Sequence, residues 1–294
     1  MPKQKKTEGP VKKKAAGIQK KENVHEGPVP GPAPLPPKAA IDVRHVVLVL
    51  SGKGGVGKST VSVNLAYALA NAGKQVGLLD LDIHGPNIPK MLGIENERPA
   101  VLDKTIEPVH VTGNLSVMSM AFLLPDTSTP VIWRGPMKMG AIQQFLSEVN
   151  WGSLDYLVVD LPPGTGDEAL SIVQLAPNVK GAVIVTTPQD VAVLDAVKAA
   201  KFIGKLELPV LGVIENMSGM VCPHCGKAVD LFGTGGGKKA ADDLHVPFLG
   251  AIPLDPAMVR AGDEGRPFIL LHSGSATWVA VNAVMESLVK IIER

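Results

Sequence analysis

Between an apolar run, Val46–Leu50, and a stretch with helical spacing from Thr60 lies GKGGVGKS, Gly52 to Ser59. No other feature constrains the chain as tightly. The segment matches G-x-x-x-x-G-K-[ST], and strand-before, helix-after is the setting in which that pattern cradles phosphate. Gly54, Gly55 and Gly57 permit a tight turn and close approach of the backbone to a ligand. The N–H groups of a loop running Gly52, Lys53, Gly54, Gly55, Val56, Gly57, Lys58, Ser59 and Thr60 then face an anion, helped by the N-terminus of the helix. Lys58 is the residue to reach β- and γ-phosphates, and Ser59 the one to ligate Mg²⁺.

A loop of this kind needs a parallel sheet behind it. The chain has 294 residues, 45% hydrophobic but only 4% aromatic, so Val, Ile, Leu and Ala carry the core. That bias suits parallel strands buried on both faces. Thr60–Ala72 places Val61, Leu65, Ala68 and Leu69 on one helical face, and Gly73 stands where a helix ends. Further strands are predicted in QVGLLDLD, LSVMSMAF, DYLVVDLPPGTGD, GAVIVTTP, PVLGVIENMSG and VPFLGAIPLDP. Helices are predicted over Met137–Val149, Val191–Ile203 and Ala276–Ile292, with Asp190 as the cap of the second. The expected fold class is α/β: a P-loop NTPase, mostly parallel and twisted, with helices on both faces.

The start of the chain differs from the rest. Eight lysines and one glutamate fall in the first 21 residues, followed by GPVPGPAPLPPK. Residues 1–40 therefore read as a disordered Lys- and Pro-rich tail, solvated rather than bound to nucleic acid, and 41–294 as the folded body. No run reaches the ~18–20 apolar residues that cross a bilayer. The lysine-rich start has no apolar core of the secretory type. Two cysteines in so long a chain do not make a disulfide framework, so a reducing cytoplasm is the expected setting.

Carboxylates fall at strand ends, where ligand loops of such a sheet lie. Asp160 closes YLVVD, the position of a Walker-B aspartate that holds Mg²⁺. Asp80 and Asp82 close LLDLD; Asp82 is expected to orient the attacking water and Asp80 to support Mg²⁺ or the loop. Gly164 and Gly166 follow Asp160 in a loop able to rearrange when a γ-phosphate leaves. No N-K-x-D segment is present to read guanine. Asn216 in VIENMSG reads equally as a turn residue. Pro253 in IPLD is a candidate wall for a base.

The only two cysteines, Cys222 and Cys225, stand in MVCPHCGK. Thiolate sites usually take four protein ligands, so C-x-x-C is half a site. Zinc, a redox disulfide, or a monomeric zinc site completed by His224 and His245 are the alternatives.

KGGVGKST, with Lys53 inside the loop, resembles the deviant Walker-A signature of the division and partition ATPases, the nitrogenase iron protein and the Mrp/ApbC proteins. DLDIHGPNIPKMLG, WRGPMK, DYLVVDLPPGTGD, VTTPQDVAVLDA, VIENMSG, CPHCG and LGAIPLDP follow one another as in the Mrp/ApbC family of iron–sulfur carrier ATPases. The resemblance covers about Val46 to Pro267. It implies that Lys53 reaches a nucleotide on the partner of a homodimer, and that Asn216 contacts adenine. Cys222 and Cys225 would then meet their symmetry mates and hold a [4Fe–4S] cluster across the twofold axis. ATP, Mg²⁺ and the cluster are the implied cofactors, with a cluster donor and apo iron–sulfur proteins as partners. Some relatives carry four further cysteines near the N-terminus; this chain has none there. Arg134 and Lys138 in WRGPMK are a candidate interface or substrate pair. The competing function is a positioning or partition ATPase without a cluster, in which the cysteines have no use.

Overall fold

The computed structural model describes residues 37–124, 135–222 and 224–294. The predicted tail lies outside the described residues except for 37–40, where the Ala39 N–H donates to the Leu175 carbonyl at 2.7 Å.

In chain order the elements are β1 (Val43–Ser51), α1 (Lys58–Asn71), β2 (Val76–Asp80), α2 (Ile88–Met91), β3 (Ala100–Leu102), β4 (Thr105–Glu107), β5 (Val109–Thr112) and β6 (Leu115–Ser119). There follow α3 (Gly135–Ser147), β7 (Leu154–Asp160), α4 (Asp167–Leu175), β8 (Val179–Thr186), α5 (Asp190–Lys205) and β9 (Val210–Asn216). The last are β10 (Met220–Val221), β11 (Ala228–Val229), α6 (Gly236–Leu244), β12 (Phe248–Ile252), α7 (Pro256–Asp263), α8 (Phe268–Leu271) and α9 (Ala276–Ile292).

Eight strands form one sheet in the order β12-β9-β8-β1-β7-β2-β6-β5. Every pairing is parallel except β5 with β6. β1 sits inside the sheet and its side chains divide between two cores. Val47 and Val49 pack with Leu65 and Leu69 of α1 and Leu288 of α9. Val46, Leu48 and Leu50 pack with Phe145 of α3, Ile172 of α4 and Ile203 of α5. Both faces are thus covered, which is why the strands read as unbroken apolar runs. Truncating one such leucine to alanine costs about 2–5 kcal/mol, much of a domain's net stability.

Two expectations are corrected, and three strands are added. LSVMSMAF is a strand only to Ser119; Met120–Leu123 is a 3₁₀ turn, because Ser119 Oγ accepts the Ala121 N–H at 3.0 Å and caps it. Asp190 is the first residue of α5, not its cap: Gln189 occupies that place and makes no side-chain cap bond. β3, β4 and the antiparallel β5 add to the strands that the sequence pattern predicts. β3 is exposed along its length, so no alternation marks it.

Candidate functional site

The carboxyl ends of the parallel strands lie along one edge of the sheet, and the residues with chemistry to offer sit there. β1 ends at Ser51 and the loop turns back into α1 at Lys58. Gly55 (φ 81°) and Gly57 (φ 82°) take the left-handed conformation that a side chain resists. Gly52 has a different reason: a Cβ there would lie 2.1 Å from the Asp195 backbone of α5. Gly54 is exposed, while Val56 is buried and anchors the loop in the core. Ser59 and Thr60, in the first turn of α1, are half-buried.

Asp160 is fully buried and is the hub. It accepts from Lys58 Nζ at 2.6 Å and Ser59 Oγ at 2.7 Å through Oδ2, and from Ser62 Oγ at 2.6 Å through Oδ1. Lys58 Nζ also lies 3.7 Å from Asp82 Oδ2. Asp80 and Asp160 are register partners on β2 and β7, which places two buried carboxyls side by side. Asp80 accepts from Ser119 Oγ at 2.8 Å and from the Asp82 N–H at 3.1 Å. Burial first, and the Asp160 charge second, push the Asp80 carboxyl up to about 8, against the hydrogen bonds and Lys58. Asp82 is also raised, chiefly by burial, although Lys58 and the N–H groups of His84 and Gly85 pull the other way.

Asn216, at the end of β9, is buried and donates Nδ2 to the Val56 carbonyl at 2.9 Å, so it grips the phosphate loop directly. Pro253 follows β12 beside it; Ser218 N–H donates to the Ile252 carbonyl at 3.0 Å and Leu254 N–H to Gly219 at 2.8 Å. Lys53 is half-buried and, among the described residues, its side chain pairs with no carboxylate of its own chain.

The cysteines occupy the turn between β10 and β11. Cys222 N–H donates to the Lys227 carbonyl and Gly226 N–H returns to Cys222, both at 2.9 Å. Cys225 is exposed and Cys222 half-exposed. N–H groups of Cys225 and His224, then the Cys225 thiol, hold the Cys222 thiol below its ordinary range. Thiolate is the form that binds metal. Among the described residues, no three His, Cys, Asp or Glu side chains converge as a metal site. A single chain thus presents two thiol ligands, with neither His224 nor His245 gathered into a larger set.

Lys138 on α3 lies 2.7 Å from Glu168 on α4, a partly buried ion pair. Trp133 and Arg134 lie outside the described residues. Several residues at this edge escape sequence reasoning: Ser62 and Ser119, which hold the aspartates, and Glu215. A glutamate inside the apolar run VLGVIEN was the available signal for the last.

The family model of the NUBPL iron-transfer P-loop NTPase matches residues 42–289. An iron–sulfur cluster carrier protein of Methanocaldococcus jannaschii is 58% identical over 229 residues, 78% of this chain and 79% of that one. A nucleotide-binding protein of Archaeoglobus fulgidus, solved with ADP, superposes with a TM-score of 0.68 at 39% identity, covering 81% of this chain and 91% of that one. The cell-division ATPase MinD of Pyrococcus furiosus shares the fold, with a TM-score of 0.61 at 23% identity over 84% of this chain and 99% of its own.

Proposed function

The chain belongs to the NUBPL iron-transfer P-loop NTPase family, and from that membership we propose that it is an ATP-hydrolysing carrier of a [4Fe–4S] cluster, held between two copies of the chain in the cytoplasm and handed to apo-proteins. One observation carries the reading. One exposed and one half-exposed thiol sit on a tight turn in the segment that leaves the carboxyl end of β9, and among the described residues no third His, Cys, Asp or Glu joins them. Two copies related by a twofold axis supply four thiolates, the number such a cluster takes. A positioning ATPase has no use for the pair.

The loop residues fit a nucleoside triphosphate with a divalent cation. Ser59 Oγ and Asp160 Oδ2 are 2.7 Å apart, with Asp80 in register beside them, and an all-oxygen set of this kind suits a hard ion such as Mg²⁺. When bound, Mg²⁺ neutralises charge on the β- and γ-phosphate oxygens. Lys58 leaves Asp160 to meet those oxygens, and backbone N–H groups from Gly54 to Thr60 cradle them. Asp82 orients the attacking water by accepting its hydrogen bond; its raised carboxyl is suited to take a proton. Lys53, which pairs with no carboxylate among the described residues, is available to the nucleotide of the second copy. The Asn216 side chain retains an N–H and a carbonyl oxygen for the adenine edge, with Pro253 along the base.

Anaerobic reconstitution with iron and sulfide tests the reading. The expected content is about four irons per dimer, that of one bridging cluster. Cys222→Ala and Cys225→Ala should each abolish it and leave nucleotide binding intact. A full cluster in either variant, or zinc alone in the wild-type protein isolated without oxygen, would overturn it.

A further inference from the structure

Glu215 is the next-to-last residue of strand β9, 1% exposed, and the chemistry of the nucleotide site does not use it. Its Oε1 accepts from the Ser218 hydroxyl at 2.5 Å and from the Gly235 N–H at 2.9 Å. Its Oε2 accepts from the Gly237 N–H at 2.5 Å. Ser218 begins the segment that carries the cysteines, and Gly235 ends it at the N-terminus of α6. One carboxylate oxygen therefore pins both the entry and the exit of the cysteine segment. Among the described residues no lysine or arginine pairs with this buried charge; the first N–H groups of α6 and a hydroxyl hold it instead.

The next two residues face the phosphate loop. Asn216 donates to the Val56 carbonyl at 2.9 Å. A Cβ on Gly57 would stand 2.2 Å from Asn216 Nδ2 and 3.6 Å from Met217 Cε, so the loop is seated on these two side chains. Met217 has φ 58°, a left-handed conformation that a non-glycine residue adopts at a cost. Gly219, Gly233 and Gly235 also have positive φ, so bends mark both ends of the cysteine segment.

We propose that Glu215 is a positioning residue that couples the phosphate loop to the two thiols: a shift of the loop on nucleotide binding passes through Asn216 to Glu215, which moves both ends of the cysteine segment together. The proposal rests on the carrier reading for its purpose, but its test needs no cluster. The full chain, free of metal and reduced, is treated with iodoacetamide, with and without Mg-ADP or a non-hydrolysable ATP analogue. Alkylation of Cys222 and Cys225 is followed by mass spectrometry at a concentration where light scattering gives one oligomeric state throughout. In the wild-type protein nucleotide should change the rate by at least about fivefold, the lower end of usual coupling between sites. Glu215→Gln, which has one acceptor oxygen in place of two, should bind nucleotide normally and bring that ratio close to one. Ser218→Ala removes only the entry bond, keeps the cap of α6, and should do the same if the glutamine variant fails to fold. A wild-type rate indifferent to nucleotide, or a folded variant that keeps the full change, would overturn the proposal. Failure of iron reconstitution would instead remove the carrier reading and leave the alkylation result standing.

Discussion

Asp80→Asn removes the ionisable proton from one of a pair of buried carboxyls while preserving the shape and the accepting oxygen that meets Ser119. In the nucleotide-free protein the Asp80 carboxyl titrates near 8, far above the 3.8 of an unfolded chain. Between those values the folded state holds a proton that the unfolded state has released, so stability must fall as pH rises through this window. Each unit of separation is worth about 1.4 kcal/mol, which bounds the loss at about 6 kcal/mol. Relaxation and water entry around buried charges reduce such penalties, and about 2–4 kcal/mol is the expected size. Urea unfolding of the nucleotide-free protein at pH 5 and pH 8.5 measures it. The variant should gain on the wild type by about that amount between the two conditions, because the amide has no proton to lose and spares Asp160 a like-charged neighbour. Parallel pH curves for the two proteins would refute the burial argument for Asp80.

Lys58→Met should weaken nucleotide binding by at least about a hundredfold and cost about 3 kcal/mol of stability, since Asp160 loses its buried cation; calorimetric titration and urea unfolding read the two effects. Asp82→Asn should slow hydrolysis about 10²–10⁴-fold with little change in nucleotide affinity, the usual size of a lost proton-handling group. Steady-state ATPase assays check this, and a wild-type rate would remove the role. Gly57→Ala should lower stability by about 2 kcal/mol or more and impair nucleotide binding, because alanine resists φ 82° and its methyl group would press on Asn216.

The strands and the residues that end them were legible because each is an apolar run closed by a functional group: Leu50 before the glycines, Asp80, Asp160, Asn216. What could not be read was register. That Asp80 stands beside Asp160 follows from the pairing of β2 with β7, and no local pattern encodes it. The same holds for Asn216 and Val56, joined by a side-chain bond across 160 positions. Glu215 was visible as a charge in a buried strand, but its partners are backbone N–H groups of glycines some twenty residues on, and backbone donors carry no sequence mark. The β3–β4 hairpin stayed hidden because Asp103 and Lys104 turn it with positive φ, where Asn-Gly would have announced the turn.

Lys58 and Asp160 each stand in for a ligand component of the other. The ammonium occupies the place by Asp160 that the proposed cation would take, and the carboxylate occupies the place by Lys58 that phosphate would take. Nucleotide alone would draw Lys58 away and strand a buried negative charge; a metal ion alone would release a buried ammonium with nothing to meet it. Under the proposed function, only the metal–nucleotide complex would exchange both partners at once and leave neither side orphaned. Preference for that complex over either component would then be written into the Lys58–Asp160 pair itself.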